Sequence, residues 1–380
     1  MDELLISLLR EHYDAHVHEM HSETFEEDML DQVRGLAEIQ IESSVSTEEL
    51  HAALDLLRLT VPCRTSLWAP AQDAGEQLGR LQSIPQLVQR SPEWYEFRHT
   101  LVTASAIHKA HGSNAKRNEL IVEKCDPAIG VQSLSMEGAR HWGVKYEAVS
   151  VLYYSHTYHT KVAEFGCLRH PTVSFLGASP DGINVDPTSD RFGRMLEIKN
   201  PVSREITGVP KEEYWIQVQV QMAVCGLKSC DFLETRFVEY ASRAEFDEDG
   251  TFCLTKAGQP KGIVLCVAKS DTTHYLYPPF QCSLEEYEEW EAEQLKECEW
   301  LSTFYWKLDD VLCTVIEYND AWFQASLPLY YELWSIIEKE RENGAWRERL
   351  PKKRQAAKRD PSPTKLSYSF NMVSSSCTDS

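Results

Sequence analysis

The chain has 380 residues, 42% hydrophobic and 10% aromatic, enough apolar material to bury a real core in one large domain with appendages or in two domains. No apolar run approaches the roughly 18 residues of a membrane span, and the acidic, amphipathic start MDELLISLLREHYDAH lacks the build of a secretory leader, so a soluble, intracellular protein is expected. The net charge of -21 argues against nucleic acid until it is located: residues 1–60 carry 15 acids and three bases, residues 285–299 carry eight acids and Lys296, and the rest is close to neutral, which leaves room for a locally positive groove.

Residues 1–60 predict two or three amphipathic helices. In TEELHAALDLLRL, Leu50, Leu54 and Leu57 recur at helical spacing, and Thr47 followed by Glu49 suits a helix start. His12, His16, His18 and His21 are metal-ligand types with one i,i+4 pair, although solvated helix histidines are the commoner outcome. Residues 61–85 read as a Pro-containing connection. From Ser91 the texture changes to dense aromatic and polar residues. Ser91 and Pro92 suit the cap and first position of a short helix. Thr103 then caps a second helix, expected to run to about Ala110 and end at Gly112. Ser105 falls in its first turn, where free N–H groups attract an anion, with Arg98 adjacent.

HWGVKYEAVS, residues 141–150, carries Glu147, and by itself an acid on an amphipathic helix is ordinarily just solvated. TVSFLGAS and GRMLEIKNP read as two strands joined by a polar loop. In YWIQVQVQMAV, residues 214–224, a strand would align Gln217, Gln219 and Gln221. A helix would align Tyr214, Gln217 and Gln221 and turn Gln219 away. CDFLETRFVEYA, TFCLTKAG and KGIVLCVAKS are further strands. Residues 284–345, acidic and rich in Trp and Tyr, are expected to be helical with a break near Pro328. The tail from about 347 should be disordered. Its Lys352, Lys353, Arg354, Lys358 and Arg359 suit a nuclear-import signal, a DNA-backbone contact or a merely solubilising tail. The 11 cysteines include no C-x-x-C pair, which favours reduced, buried thiols over a zinc ribbon.

The stretch GASPDGINVDPTSDRFGRMLEIKNP carries the chemistry. Residues two apart in a strand share a face, so Glu197 and Lys199 are neighbours, with Leu196 and Ile198 on the opposite, buried side. Asp181 follows a Ser-Pro turn at the end of the preceding strand, and the 15 residues between it and Glu197 suffice for a hairpin that brings the two together. Two such carboxylates repel, and one pKa rises unless a cation lies between them. Oxygen ligands favour magnesium or manganese. The lysine would stay protonated and orient a water or stabilise charge building on a phosphate. The bland reading is a surface hairpin with a Glu–Lys ion pair.

The spacing of Pro180-Asp181 and Glu197-Ile198-Lys199 resembles the PD-(D/E)XK nuclease signature, and the surrounding chain resembles the lambda-exonuclease-like, YqaJ-type viral recombinases, a family that includes proteins of large DNA viruses. SPEWYEFRHTLVTAS is similar to the family's opening motif of a tryptophan, an arginine and T-A-S. The resemblance assigns Arg98 and Ser105, with Thr103, to a terminal 5′-phosphate. HWGVKYEAVS resembles the helix that donates a further acid, here Glu147. YWIQVQVQMAV resembles a helical tyrosine-and-glutamine motif, with Tyr214 near the DNA and Gln217 positioning water or phosphate, and Gln219 secondary. One departure is a phosphate-contacting lysine of the relatives, which falls near Gly138, where Arg140 stands as the substitute.

The resemblance implies a restriction-endonuclease-like α/β core over residues 86–283, a mixed sheet flanked by helices. Around it lie an acidic helical region 1–85, a helical extension 284–346 and a tail 347–380. It implies metal-dependent phosphodiester hydrolysis, with Asp181, Glu197, Glu147 and the Ile198 carbonyl holding one or two Mg2+ (or Mn2+) ions and Lys199 and Gln217 acting on the attacking water. The implied activity is 5′-to-3′ resection of double-stranded DNA for recombination and replication. A single-strand annealing protein is the implied partner, and the host nucleus or a cytoplasmic replication site the setting. Ring-forming trimers and monomers both occur among relatives. The alternatives are a structure-specific endonuclease and a non-catalytic DNA-binding or scaffolding protein on the same fold.

Overall fold

The computed structural model describes residues 2–66, 73–87, 91–126, 139–269 and 272–350. The basic cluster at 352–359 and the expected tail beyond Leu350 lie outside them, whereas the first residues of that tail are ordered in a 3-10 turn, Ala345–Arg349, held by Arg349 donating to Glu340. The acidic N-terminal region forms three helices, α1 (Asp2–His16), α2 (Phe25–Ile41) and α3 (Thr47–Leu57). α3 starts at Thr47, as expected. Ser46 is the cap, in a reciprocal capping box with Glu49, because the side chain that accepts the Glu49 N–H must sit three residues before it. His12 and His16 stack at 4.1 Å, and no group of metal ligands forms there among the described residues. This region is docked on the remainder: the Tyr13 hydroxyl donates to the Pro62 carbonyl and accepts from Asn319, and one apolar core runs from α1–α3 through the later helices.

After α4 (Gly75–Ser83) and α5 (Pro92–His99) comes a two-residue strand β1 (Val102–Thr103), followed by α6 (Ala104–Ile107), a 3-10 turn at His108–Ala110, α7 (Asn114–Cys125) and α8 (Ala139–Thr157). The strands β2 (Val162–Ala163), β3 (Leu168–Arg169), β4 (Leu176–Ala178), β5 (Gly182–Asn184) and β6 (Met195–Lys199) follow. The two expected strands TVSFLGAS and GRMLEIKNP are not partners. β4 joins a small sheet of order β1-β4-β3, and it is the short β5, inside the expected loop, that pairs antiparallel with β6. Asp181 therefore sits at the start of β5, between the two sheets. Gly182 is the enabling residue: a Cβ there would lie 2.2 Å from Val162 Cγ1 of the neighbouring strand.

Helix α9 (Glu212–Cys225) crosses from β6 to the parallel β7 (Ser229–Glu239). It is buried from Trp215 almost without interruption to Cys225. Burial on all sides erases the helical period, which is why its sequence also reads as a strand. Beyond it lie α10 (Arg243–Glu248), β8 (Lys261–Lys269), β9 (Thr272–Leu276), α11 (Leu284–Gln294), β10 (Glu299–Glu317) and α12 (Asp320–Asn343). TFCLTKAG is not a strand but a turn region with a single bridge, Leu254 to Pro260.

The large correction concerns 284–346. Its middle is the 19-residue strand β10, which lies between β7 and β8 in a sheet of order β2-β5-β6-β7-β10-β8-β9. Aromatic and β-branched residues (Phe304, Tyr305, Trp306, Val311, Thr314, Val315, Ile316) favour the pleated state, whereas the acidic run 285–299 suggested a helix. Helix α12 then runs through Pro328 without a break, carried by buried Phe323, Tyr330 and Leu333. The mixed α/β core flanked by helices is the observed fold. Among the described residues no helix is long and apolar enough to cross a membrane, and the cysteines are free.

Candidate active site

Three elements converge at the end of β6. Pairing with β7 on one side and β5 on the other leaves the two faces of this strand to different helices. Leu196 and Ile198 pack with Tyr154 of α8 and Leu233, as expected. Glu197, only 1% exposed, turns to the α9 face. Its Oε1 accepts from Lys199 Nζ at 2.5 Å and from Gln217 Nε2 at 2.6 Å, and its Oε2 accepts from Gln221 Nε2 at 2.8 Å. Lys199 Nζ also reaches Gln217 Oε1 at 3.3 Å and lies 4.7 Å from the centre of the Tyr214 ring. Asp181 Oδ2 accepts the Ile198 N–H at 2.7 Å, so the hairpin brings Asp181 to the strand that carries Glu197.

Helical geometry decides the glutamine motif. Tyr214, Gln217 and Gln221 share the face toward β6. Gln219 points away, fully buried, and ties α9 to the β10–α12 junction by donating to the Glu317 carbonyl and accepting from the Asn319 N–H. Gln219 is thus a packing residue. Gln221 is a site residue that the expected set does not include, and its i+4 spacing from Gln217 is the signal in the sequence.

Glu147 is exposed on α8, which a polar ladder holds in register against β7: Tyr146 bonds Glu239, Ser150 bonds Thr235 at 2.7 Å, and Tyr154 bonds Asp231. Asn200, next to Lys199, donates to both Ser150 and Thr235 and so links the end of β6 to the helix that carries Glu147. Nothing in single-residue chemistry marks this ladder in the sequence; it arises from i,i+4 spacing on the helix meeting i,i+4 positions of one strand face, Asp231, Thr235 and Glu239.

The expected anion corner is only partly built as read. Ser91 caps α5 by accepting from the Trp94 N–H, with Pro92 at the first position. Arg98 stacks over Trp94, 4.4 Å from its ring centre, and donates to Ser179 Oγ at 3.4 Å. Thr103 pairs with Gly177 and stands at the cap of α6, but its hydroxyl faces Ser105 Oγ at 3.3 Å instead of capping. The helix after it is four residues long and then tightens, and Gly112 precedes a new helix capped by Ser113. A four-residue helix has little dipole, so attraction for an anion here rests on the Arg98 charge and the exposed Ser105 hydroxyl. The side chain of Arg140, in the first turn of α8, lies outside the described residues.

Electrostatically the site has more acid than base. Burial, then Glu197 and then Glu147 push the Asp181 carboxyl well above the usual carboxylate range, against Lys199 and the Ile198 N–H. The residue reaches the surface in part, yet its carboxylate is hemmed in. Burial works against the Lys199 ammonium, but Glu197 and Asp181 outweigh it and hold its pKa above the ordinary lysine value. A hard divalent cation fits this donor set, because it would neutralise facing carboxylates that one lysine leaves in excess. Among the described residues the acids are not gathered into a ready cage: Glu197 is held by α9, Asp181 by β6, and Glu147 stands at the rim.

Residues 93–228 match the family model described as YqaJ-like viral recombinase domain. An uncharacterized protein of Acanthamoeba polyphaga mimivirus, a large DNA virus, is 28% identical over 332 residues. The match takes in 77% of this chain but only 60% of the relative, so the chain spans about three-fifths of that protein's length. Among solved structures, an alkaline exonuclease (LHK-Exo) from Laribacter hongkongensis matches at 22% identity and TM-score 0.42, over 68% of this chain and 98% of that one. The same exonuclease in complex with dAMP matches at TM-score 0.41 over the same shares. Arg98, Thr103, Ser105, Glu147, Asp181, Glu197, Lys199, Tyr214, Gln217 and Gln221 all fall inside the matched segment, so the likeness of residues 93–228 to a YqaJ-like viral recombinase domain covers the candidate site.

Proposed function

We propose that this chain is a metal-dependent deoxyribonuclease that degrades duplex DNA from 5′ ends, leaving 3′ single strands for an annealing partner in recombination and replication. The observation that carries the reading is the convergence on Glu197 of Lys199, Gln217 and Gln221, with Asp181 alongside, from three successive elements: the start of β5, β6 and α9. Asp181, Glu197, Glu147 and the Ile198 carbonyl would hold one or two Mg2+ (or Mn2+) ions. Such ions, when bound, supply a Lewis acid and an acidified water.

The chain's own residues do the rest. Lys199, kept charged by its acidic neighbours, stabilises negative charge on the phosphoryl oxygens and cannot serve as a base at neutral pH. Gln217, bonded to both Glu197 and Lys199, fixes their separation and orients a water beside them. Arg98, over Trp94, with Ser105 and Thr103, receives the terminal 5′-phosphate. Tyr214 backs the Lys199 ammonium with its ring face and lines the DNA path. Arg140 is assigned to the DNA backbone.

The test uses end-labelled duplex with a 5′-phosphate or a 5′-hydroxyl, incubated with magnesium and wild-type or Lys199→Ala protein. Release of mononucleotides from the 5′-phosphorylated end by wild type only is the expected result. Internal cuts would point to an endonuclease, and no cleavage would refute the hydrolytic reading.

A further inference from the structure

We propose that Gln221 is a positioning residue that couples the Arg98 end of the cleft to the Glu197 carboxylate, so that a terminal phosphate at Arg98 tightens cation binding at Glu197. This rests on the metal-dependent reading above. Gln221 is 1% exposed, and its amide orientation is fixed because both groups facing its nitrogen, Glu197 Oε2 at 2.8 Å and the Ser179 carbonyl at 3.4 Å, can only accept. Its Oε1 is buried with no partner among the described residues. Stranding an acceptor is unfavourable, so a side chain that merely filled the space between α9 and the sheet would be better apolar. What the amide achieves is the bridge.

The bridge continues through a single residue. Ser179 offers its carbonyl to Gln221 and its Oγ to Arg98, also at 3.4 Å. The path Arg98–Ser179–Gln221–Glu197 is therefore continuous, with a covalent step inside Ser179. Both contacts at Ser179 sit near the outer limit of a hydrogen bond, where a small movement changes them most. A phosphate that draws on the Arg98 guanidinium alters the first contact, and through Ser179 the second. Gln217 provides the internal contrast: it touches Glu197 and Lys199 and has no link to Ser179 or Arg98.

The experiment measures Mn2+ binding to the full chain by titration calorimetry, in the presence of a short duplex whose first linkage is non-hydrolysable. The duplex carries either a 5′-phosphate or a 5′-hydroxyl. In wild type the phosphorylated end should tighten Mn2+ about tenfold relative to the hydroxyl end, a coupling of ordinary allosteric size. Gln221→Leu should reduce that ratio to within about twofold of unity. Gln217→Leu should weaken Mn2+ with both duplexes and keep the ratio. Gln221→Met, equally long and apolar, replaces the leucine variant if the latter fails to fold by thermal unfolding. A ratio that survives in a folded Gln221 variant, or a wild-type ratio of one, overturns the coupling and leaves the metal-dependent reading intact. Absence of Mn2+ binding to wild type with either duplex overturns both.

Discussion

Two buried carboxylates lie side by side in the sheet and are treated in opposite ways. β6 and β7 pair in parallel with Leu196 opposite Asp231 and Glu197 opposite Phe232, so Asp231 and Glu197 emerge on opposite faces. Asp231 is sealed at 0% exposure and is held by the Arg191 and Arg194 guanidinium groups and the Tyr154 hydroxyl. Arg191 in turn stacks 3.5 Å from the centre of the Tyr158 ring. That face has one acid for two cations. Among the described residues, the site around Glu197 has three acids, counting Asp181 and, at the rim from α8, Glu147, for the cation Lys199, with neutral amides for the remaining contacts. A charge buried for structure is compensated by its own neighbours. One left under-compensated in a partly open site is arranged for a cation from outside.

The sharpest way to break this contrast is to remove the one cation of the Glu197 face without removing its hydrogen bond. Lys199→Gln can still donate to Glu197. Cleavage should fall by on the order of a hundred- to a thousandfold, the cost of losing one charge-stabilising donor, while the protein remains folded. Single-turnover rates beside circular dichroism check both halves. Undiminished cleavage would mean that Lys199 is only an ion-pair partner.

The complementary change is Asp231→Ala, which strands two guanidinium groups on the sealed face. Loss of about 3–5 kcal/mol of stability is expected, with cleavage per folded molecule retained. Urea unfolding, with activity corrected for the folded fraction, separates the two. If activity vanished at unchanged stability, Asp231 would belong to the site and the contrast would fail.

The contrast itself was only half legible in the sequence. Glu197 and Lys199 are visible because charged residues two apart in an apolar run demand an explanation, and because Asp181 precedes them at hairpin distance. Asp231 sits in an equally apolar run, CDFLETRF, but its partners Arg191 and Arg194 come from a loop and Tyr154 from a helix. No local spacing foretells that meeting. Gln221 is legible as a face-mate of Tyr214 and Gln217 if the segment is a helix, but burial on nearly every side leaves helix and strand equally open in the residues themselves. The sequence around β10 suggests a helix because the acids just before it outweigh the β-branched and aromatic pattern within it. Asp181 was expected to end one strand of a hairpin, and it opens the other, because Gly182 lets β5 form beside Val162.

The smallest effect is the most specific. With its carboxyl pKa raised by burial, Glu197 and Glu147, folded Asp181 holds its proton more tightly than the unfolded chain does. The sign follows: as pH rises above the unfolded carboxyl value of about 3.9, the folded state loses stability from this group, and the loss levels off above the raised folded pKa. Asp181→Asn removes the charge and keeps an oxygen to accept the Ile198 N–H. Without divalent cations the variant should therefore be more stable than wild type at pH 7 to 8, by about 0.5–2 kcal/mol, and the gap should close toward pH 4. Magnesium should reverse the order, since a cation that binds the folded wild type stabilises it by mass action and finds fewer charges in the variant. Thermal unfolding across pH, with chelator and with magnesium, reads both signs. A variant that is less stable at every pH, in a protein indifferent to magnesium, would make Asp181 a structural acceptor like Asp231, and the two faces of the sheet would differ in packing alone.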